Sequence, residues 1–343
     1  MAGIRHHILP RFLLRGFASQ INGTKVFTWV YRKNSRAFEA STKDVSVEKY
    51  FYGKDGEANA DPEITELEIE FSALLTELRE YSSKEEVTDP RVAEFIAHLC
   101  IRTKHLRDSL RESTEFLLES LEEYLSDFRN LKGLILHDPQ IMENAFEAKI
   151  KDFQMPRHQK DMIMALLPSM ASTLLDQQKS EFQFLAKAFF AQIQETLPTM
   201  LRDTHITTLS KESIPEPRVG NYRSLKWFVR HSKVPLILGD VGCLFEVSGN
   251  RYTSLDSKDE LKNVFLPISS HQILVGTSSN FAQKINFQSL KKAYVKRSRE
   301  YFICSESSTE MASLASSIGE DAEIVSKTEL EQIVKEILLK KKP

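Results

Sequence analysis

The chain has 343 residues, of which 41% are hydrophobic and 27% are charged, and its formal net charge at pH 7 is −2. This balance is typical of folded globular proteins and excludes a disordered chain. A chain of this length is expected to fold into two or three packed units. Without an overall positive charge, nucleic acid would have to bind at a local basic patch.

The cysteine content and the lengths of the apolar runs indicate in which cellular compartment the protein is expected. Three cysteines without paired or metal-like spacing favour a reduced compartment. The N-terminal apolar run is interrupted too early for a signal peptide, and no run is long enough to cross a bilayer. The sequence therefore predicts a cytoplasmic protein without a membrane partner.

Residues 1–60 are predicted to mix short elements. Pro10 favours a short helix in the stretch RHHILPRFLLRGF, because proline is tolerated in a first helical turn. The alternation in TKVFTWVYRK predicts a strand, and DVSVEKYFYG predicts a second short strand or a turn. This part of the chain forms the first predicted domain.

Residues 61–212 show a helical period. Helix-start patterns occur at 61–63 (DPE), 88–90 (TDP) and 138–139 (DP), and a further helix is predicted to begin at Pro156. The last apolar helical pattern of this part is predicted to end before Pro198. These residues are predicted to form a helical bundle, the second domain.

Residues 218–343 are predicted to be rich in β-strands. Short β-branched and aromatic runs such as KWFVRH, CLFEV, VFLPIS and QILVG are separated by turn residues, and two helices are predicted towards the end. The fold class is therefore α+β: a central helical bundle with a short N-terminal β segment and a β-rich C-terminal part.

The first candidate site is the histidine pair near the N-terminus. In an extended segment the side chains of His6 and His7 point to opposite sides, so at most one reaches a given site. An imidazole titrates near neutral pH and can act as a general acid or base. The alternative is structural, with one histidine packed against the first helix and the other solvated.

The second candidate site is a polar stripe on the helix predicted after residue 90. Glu94, His98, Arg102 and His105 follow helical spacing. An arginine between imidazoles can clamp a phosphate or a carboxylate, and the alternative is a solvated helix face. A third candidate, Asp240, ends an apolar strand and predicts either a catalytic or metal-binding carboxylate or a turn aspartate.

Several of these segments, in chain order, resemble one family. The stretches HHILPRFLLRGF, VFTWVYRK, DVSVEKYFY, FIAHLCIRTKHLRD, PLILGDVG and VFLPISSHQILV are similar to the domain-of-unknown-function family 4238, which is uncharacterised and largely bacterial. The opening histidine pair with its proline is the most specific feature. The family typically has Ser-Asp-Asn-Pro where this chain has GDVG at 239–242, so the aspartate is kept and the amide is not. The resemblance implies no reaction.

The resemblance adds weight to a single polar pocket that joins distant residues. We expect His7, Arg102 and Asp240 to line a common cleft. The predicted set comprises catalytic His6, His7, Glu48, Lys49 and Asp240, and anion-binding Arg11, His98, Arg102 and His105. These residue types supply an acid, a base and cationic clamps, and they leave room for a divalent metal ion.

This set predicts a hydrolase of phosphodiester or nucleotide bonds that acts on nucleic acid or a nucleotide, as an effector of stress response or phage defence. The alternative is a non-catalytic scaffold that forms homo-oligomers or binds a protein partner through its helical centre. The nearly neutral charge favours the alternative or a small substrate.

Overall fold

The computed structural model describes residues 4–54, 56–82, 85–137, 162, 166, 170–255, 261–278 and 285–339. It confirms the α+β class, with helices and several antiparallel sheets. The chain forms two compact units, one made of Met1–Leu110 and Leu201–Ile324, the other of Arg111–Met200 and Val325–Pro343.

The N-terminal part of the first unit is built from short strands around one short helix. These elements are β1 (Arg5–His7), α1 (Arg11–Leu14), β2 (Gln20–Asn22), β3 (Lys25–Arg32), β4 (Phe38–Ser41) and β5 (Val47–Lys49). Strand β1 pairs antiparallel with β5, so that His6 lies opposite Glu48. The helix begins after Pro10, as predicted, and buries Leu13 and Leu14.

Two helices and a short strand follow, and a third helix begins in this unit. They are α2 (Asp61–Glu80), β6 (Glu86–Val87), α3 (Arg91–Ile101) and α4 (Lys104–Ser126). Helix α2 begins at the predicted DPE pattern, with Pro62 in its first turn. The chain leaves helical geometry between α3 and α4, at Arg102 and Thr103, and this break decides where the following side chains lie.

The rest of the first unit is mainly β-structure. It contains α7 (Glu216–Arg223), β7 (Lys226–His231), β8 (Leu238–Gly239), β9 (Leu244–Val247), β10 (Arg251–Thr253), β11 (Leu261–Pro267), β12 (Gln272–Thr277), α8 (Phe287–Arg297), β13 (Tyr301–Cys304) and α9 (Thr309–Leu314). One sheet has the strand order β10-β9-β11-β12-β7-β6. The other has the order β2-β3-β13-β8, with β4 also paired to β3.

The described part of the second unit is helical. It contains most of α4, then α5 (Phe128–His137), a helical segment at 170–177, the first part of α6 (Lys179–Lys211) and α10 (Lys327–Leu339). The ammonium of Lys132 lies 2.6 Å from the carboxylate of Asp176 and joins α5 to the helical segment. The helix starts predicted at 138 and 156 lie outside the described residues.

The prediction that a helix ends before Pro198 is wrong, because α6 continues to Lys211. Proline removes one backbone hydrogen bond from a helix interior, but packing can compensate for this loss. Leu197 before the proline and Leu209 after it are both buried. Apolar burial in each half offsets the lost hydrogen bond.

The compact units do not coincide with the three domains predicted from composition. The first unit draws on all three predicted ranges, since strand β13 pairs with β3. The division into 1–60, 61–212 and 218–343 therefore stays a prediction about folding domains. In the part of the chain that the structure describes, no helix is long and apolar enough to cross a membrane.

Candidate functional site

A cavity of about 230 Å³ in the first unit brings together three of the residues singled out in the sequence. Glu48 comes from β5, His105 from the first turn of α4, and Asp240 from the residue after β8. Lys104 and the segment 299–301 complete much of its charged wall. The cavity therefore collects carboxylates, an imidazole and cations from distant parts of the chain.

Lys104 is held between two carboxylates at the cavity. Its ammonium nitrogen lies 2.6 Å from Oε1 of Glu300 and 3.7 Å from Oε2 of Glu48. Burial lowers the pKa of Lys104, but the hydrogen bond to Glu300 and the charges of Glu300 and Glu48 outweigh it and raise this pKa. The side chain thus stays cationic at neutral pH.

Asp240 contacts the backbone of the facing segment with both carboxylate oxygens. Its Oδ1 accepts the N–H of Arg299 at 2.9 Å, and its Oδ2 accepts those of Glu300 at 2.6 Å and Tyr301 at 3.2 Å. Burial nevertheless raises the pKa of Asp240 to about 6, against the lowering effect of these three hydrogen bonds. This carboxyl group therefore exchanges its proton close to neutral pH while it positions the cavity wall.

The glycine before Asp240 allows this approach. A Cβ atom at Gly239 would collide with the hydroxyl of Ser298, at the end of α8. Only a residue without a side chain lets β8 pass so close to that helix end. The Gly-Asp pair seen in the sequence therefore has a steric reason in the fold.

His105 is almost completely buried, with 3% of its surface exposed, and it lines the cavity. Its Nε2 lies 3.4 Å from the hydroxyl of Ser254. The break between α3 and α4 separates it from the other two basic residues of the predicted stripe. His98 and Arg102 do not line this cavity.

Arg102 lies instead at the centre of a buried network. Its guanidinium donates hydrogen bonds to Tyr52 Oη at 2.9 Å, His98 Nε2 at 3.0 Å, the carbonyl oxygen of His7 at 2.7 Å and Glu68 Oε1 at 2.7 Å. No part of Arg102 is exposed. These donors are directed at protein groups, so the geometry fits a structural role better than an anion clamp.

Burial shifts the pKa values of His98 and Tyr52, two neighbours of Arg102. His98 donates its Nδ1–H to the carbonyl oxygen of Ser213 at 2.9 Å, which leaves Nε2 as the acceptor for Arg102. Burial, aided by the charge of Arg102, lowers the pKa of His98 to about 3. Burial also raises the pKa of Tyr52 to about 12. Both side chains are therefore neutral at physiological pH.

The two N-terminal histidines point to different partners, as an extended segment requires. His6 is buried and accepts the backbone N–H of Tyr52 at Nδ1, at 2.8 Å. His7 donates from Nε2 to the carbonyl oxygen of Thr42 at 3.2 Å, and burial lowers its pKa. The pair ties β1 to the segments beside it.

The structure thus separates the predicted site residues. His7 and Arg102 are in direct contact, whereas Asp240 lines a cavity that neither of them lines. Arg11 on α1 and Lys49 on β5 also lie outside its wall. The catalytic and anion-binding roles given to all these residues stay predictions.

Sequence reasoning missed Lys104, Tyr52 and Glu68. Lys104 directly precedes His105, and its position at the helix break could have drawn attention to it. Tyr52 and Glu68 join Arg102 from 50 and 34 residues away, and no local pattern links them.

The residues predicted from the sequence left room for a divalent metal ion. Within the described ranges, no group of three or more His, Cys, Asp or Glu side chains is arranged to hold a metal ion. Metal dependence stays a prediction.

A family model described as "Protein of unknown function (DUF4238)" matches residues 5–303, most of the chain. The chain belongs to this family. The resemblance stated from the sequence motifs is thereby confirmed. The DUF4238 match spans both the buried network and the cavity, from β1 to β13. No curated protein and no solved structure matches the chain.

Proposed function

We propose that the protein is a hydrolase that cleaves a phosphate ester bond of a small, nucleotide-like substrate in the cavity lined by Glu48, Lys104, His105 and Asp240. The observation that supports this proposal is the convergence of three segments around residues 48, 105 and 240 on one cavity. The cavity volume of about 230 Å³ suits a small molecule better than a nucleic acid strand.

The residue types fit the needs of phosphoryl transfer. The Lys104 ammonium has three N–H donors, one of which is directed at Glu300, so it can also contact phosphate oxygens, on which negative charge accumulates in the transition state. His105 is the candidate general base because its imidazole lies on the cavity wall and imidazole nitrogens accept protons in general base catalysis. Asp240 acts as a positioning residue, since its carboxylate fixes the backbone of 299–301.

The proposed step is a simple hydrolysis. A water oxygen attacks phosphorus while the His105 imidazole takes one proton from that water. The bond from phosphorus to the leaving oxygen breaks, and its electron pair stays on that oxygen, which takes a proton from solvent. The products are an alcohol and the phosphorylated fragment, and the imidazolium returns its proton to solvent.

The test is an activity screen with matched histidine variants. Purified protein is incubated with nucleoside mono-, di- and triphosphates and with cyclic nucleotides, and the product of ester cleavage, a free nucleoside or a ring-opened nucleotide, is quantified. We expect turnover of at least one of them and a loss of roughly a hundredfold or more in His105→Gln. His271→Gln is the control, because His271 is exposed on a turn outside the cavity wall.

Two results would contradict the hydrolase proposal. One is the absence of turnover for every substrate class with correctly folded wild-type protein. The other is full activity in His105→Gln with an unchanged thermal melt.

A second function, assembly of copies of this chain, is favoured by the helical unit. The side chains of Leu174, Phe184, Leu185 and Phe189 are exposed there, and 70% of the surface of Phe184 is accessible. Exposed large apolar side chains one helical turn apart, such as Leu185 and Phe189 on α6, are typical of protein–protein interfaces. We propose homo-oligomer formation through this face, which is compatible with catalysis in the first unit.

A further inference from the structure

The six-stranded sheet carries a second cavity, of about 150 Å³. Its aromatic wall comes from three strands, with Phe228 on β7, Tyr252 on β10 and Phe265 on β11. Val275 pairs with Phe228 on one side and with Phe265 on the other, so an apolar row crosses three adjacent strands. A drug-sized pocket is larger, at about 300–1,000 Å³, and the space here suits a single ring system.

The wall is suited to a flat aromatic ligand. The guanidinium carbon of Arg230 lies 4.5 Å from the centre of the Phe228 ring, and the rings of Tyr252 and Phe265 are 6.2 Å apart. Aromatic side chains and guanidinium planes on a β-sheet surface are a common platform for stacking nucleobases.

A polar pair on the same sheet supplies a hydrogen-bonding edge. Asn263 lies directly opposite Glu246 in the ladder and donates its amide N–H to Oε2 of Glu246 at 2.7 Å. An ionised carboxylate has about four lone-pair sites, so Glu246 can accept two further N–H groups side by side. Both residues line the cavity.

We propose that this cavity binds a guanine base, which stacks on its aromatic wall and donates N1–H and N2–H to the Glu246 carboxylate. Guanine is the nucleobase that presents two adjacent N–H donors on one edge. Adenine and cytosine place a ring acceptor beside their amino group, which a carboxylate repels, and uracil offers a single donor. This inference does not rest on the hydrolase proposal.

A guanine base can be supplied by a free nucleotide or by a single strand of RNA, and the binding experiment has an arm for each. Binding of GMP, AMP and UMP is measured by calorimetry, and binding of a labelled oligouridine with one guanosine by fluorescence anisotropy. We expect GMP or the guanosine-containing strand to bind, and AMP or plain oligouridine to bind roughly tenfold more weakly or not at all.

Matched glutamate variants locate the site. Glu246→Gln keeps an oxygen to accept the Asn263 bond but replaces the second acceptor by an amide donor, so we expect at least a roughly tenfold loss of guanine binding with an unchanged melt. Glu66→Gln makes the same change at an exposed position on helix α2, outside the cavity wall, and should leave binding unaltered. Phe228→Leu should weaken binding without altering the preference among bases.

Three outcomes would overturn the guanine site. The first is that neither GMP nor the guanosine-containing strand binds. The second is equal binding of GMP and AMP, and the third is guanine binding that is unchanged in Glu246→Gln. Binding of the strand alone would support the site and identify RNA as the source of the base.

Discussion

Two basic residues close together in the sequence, Arg102 and Lys104, serve different parts of the molecule. The Arg102 guanidinium is buried and bonded to four protein groups, whereas the Lys104 ammonium lines a cavity with 36% of its side chain exposed. A buried guanidinium is expensive to desolvate and is stable only when its partners are all in place. We therefore assign Arg102 to fold stability and Lys104 to the site.

Replacing Arg102 by lysine tests the structural assignment. Lysine keeps the charge but lacks the planar fork, so it cannot reach Tyr52, His98 and the His7 carbonyl together. We expect the free energy of unfolding to fall by about 2–4 kcal/mol in urea denaturation. Arg129→Lys, at an arginine whose side chain is 89% exposed, should leave the urea midpoint close to that of the parent. A parent-like midpoint for Arg102→Lys would refute the assignment.

Two buried histidines predict an acid-sensitive fold. Burial lowers the pKa of His98 to about 3 and that of His205 to about 4, below the ordinary value of 6.5. Between pH 6.5 and about 4 the unfolded chain thus binds more protons at these residues than the folded protein does. Each histidine then lowers the free energy of unfolding by up to about 1.4 kcal/mol per unit decrease in pH.

A histidine variant isolates this contribution. Asp240 has the opposite effect on the free energy of unfolding, because its pKa is raised to about 6 in the folded protein. The experiment therefore compares the pH dependence of the variant with that of the parent. Urea titrations across this pH range should show a shallower loss of stability in His205→Gln than in the parent. His271→Gln, at an exposed turn, should follow the parent. Identical slopes in all three proteins would contradict the prediction.

At the scale of elements, helical spacing predicted α2 and α3 well, because their apolar residues recur at the period of one buried face. The same spacing was misleading for the polar stripe. It assumes an unbroken helix from Glu94 to His105, but the chain leaves helical geometry at Arg102 and Thr103. Residues that appear aligned in the sequence therefore serve two different sites.

Helix α6 predicts a stabilising substitution at its internal proline. Pro198 is exposed and costs the helix one hydrogen bond, so Pro198→Ala should raise the free energy of unfolding by up to about 3 kcal/mol. Pro217 lies in the first turn of α7, where proline is favourable, and Pro217→Ala should not stabilise the protein. Circular dichroism melts compare the two, and equal melting temperatures for parent and Pro198→Ala would count against the helix continuing through this residue.

At the scale of the whole molecule, the sequence predicted the fold class but not which segments pack together. Strand β13 inserts beside β3 although about 270 residues separate them, as the pairing of Cys304 with Trp29 shows. Long-range pairing of this kind depends on the total apolar surface that is buried, not on local pattern. For the same reason the sequence predicted nine site residues but not which of them meet, and three of the nine line the cavity.

The exposed apolar face of the helical unit predicts self-association. Leu185 and Phe189 are one helical turn apart and both more than half exposed, so a charge placed there should disrupt contacts between copies. We expect a homo-oligomer by light scattering after gel filtration, and a shift towards monomer for Phe189→Glu. Ala191→Glu introduces the same charge at an exposed position on the opposite side of the helix and should leave the oligomer intact. A monomeric parent, or an oligomer that Phe189→Glu leaves intact, would argue against assembly through this face.

The central claim is that the buried polar residues divide into a structural network around Arg102 and a functional cavity around His105. The most direct measurement is a parallel thermal melt and nucleotide-hydrolysis assay of Arg102→Lys and His105→Gln. We predict that Arg102→Lys lowers the melting temperature by several degrees, and that His105→Gln melts close to the parent but loses roughly a hundredfold or more of the turnover rate. The reverse pattern, a stable Arg102→Lys protein without activity and an active His105→Gln protein, would contradict the division.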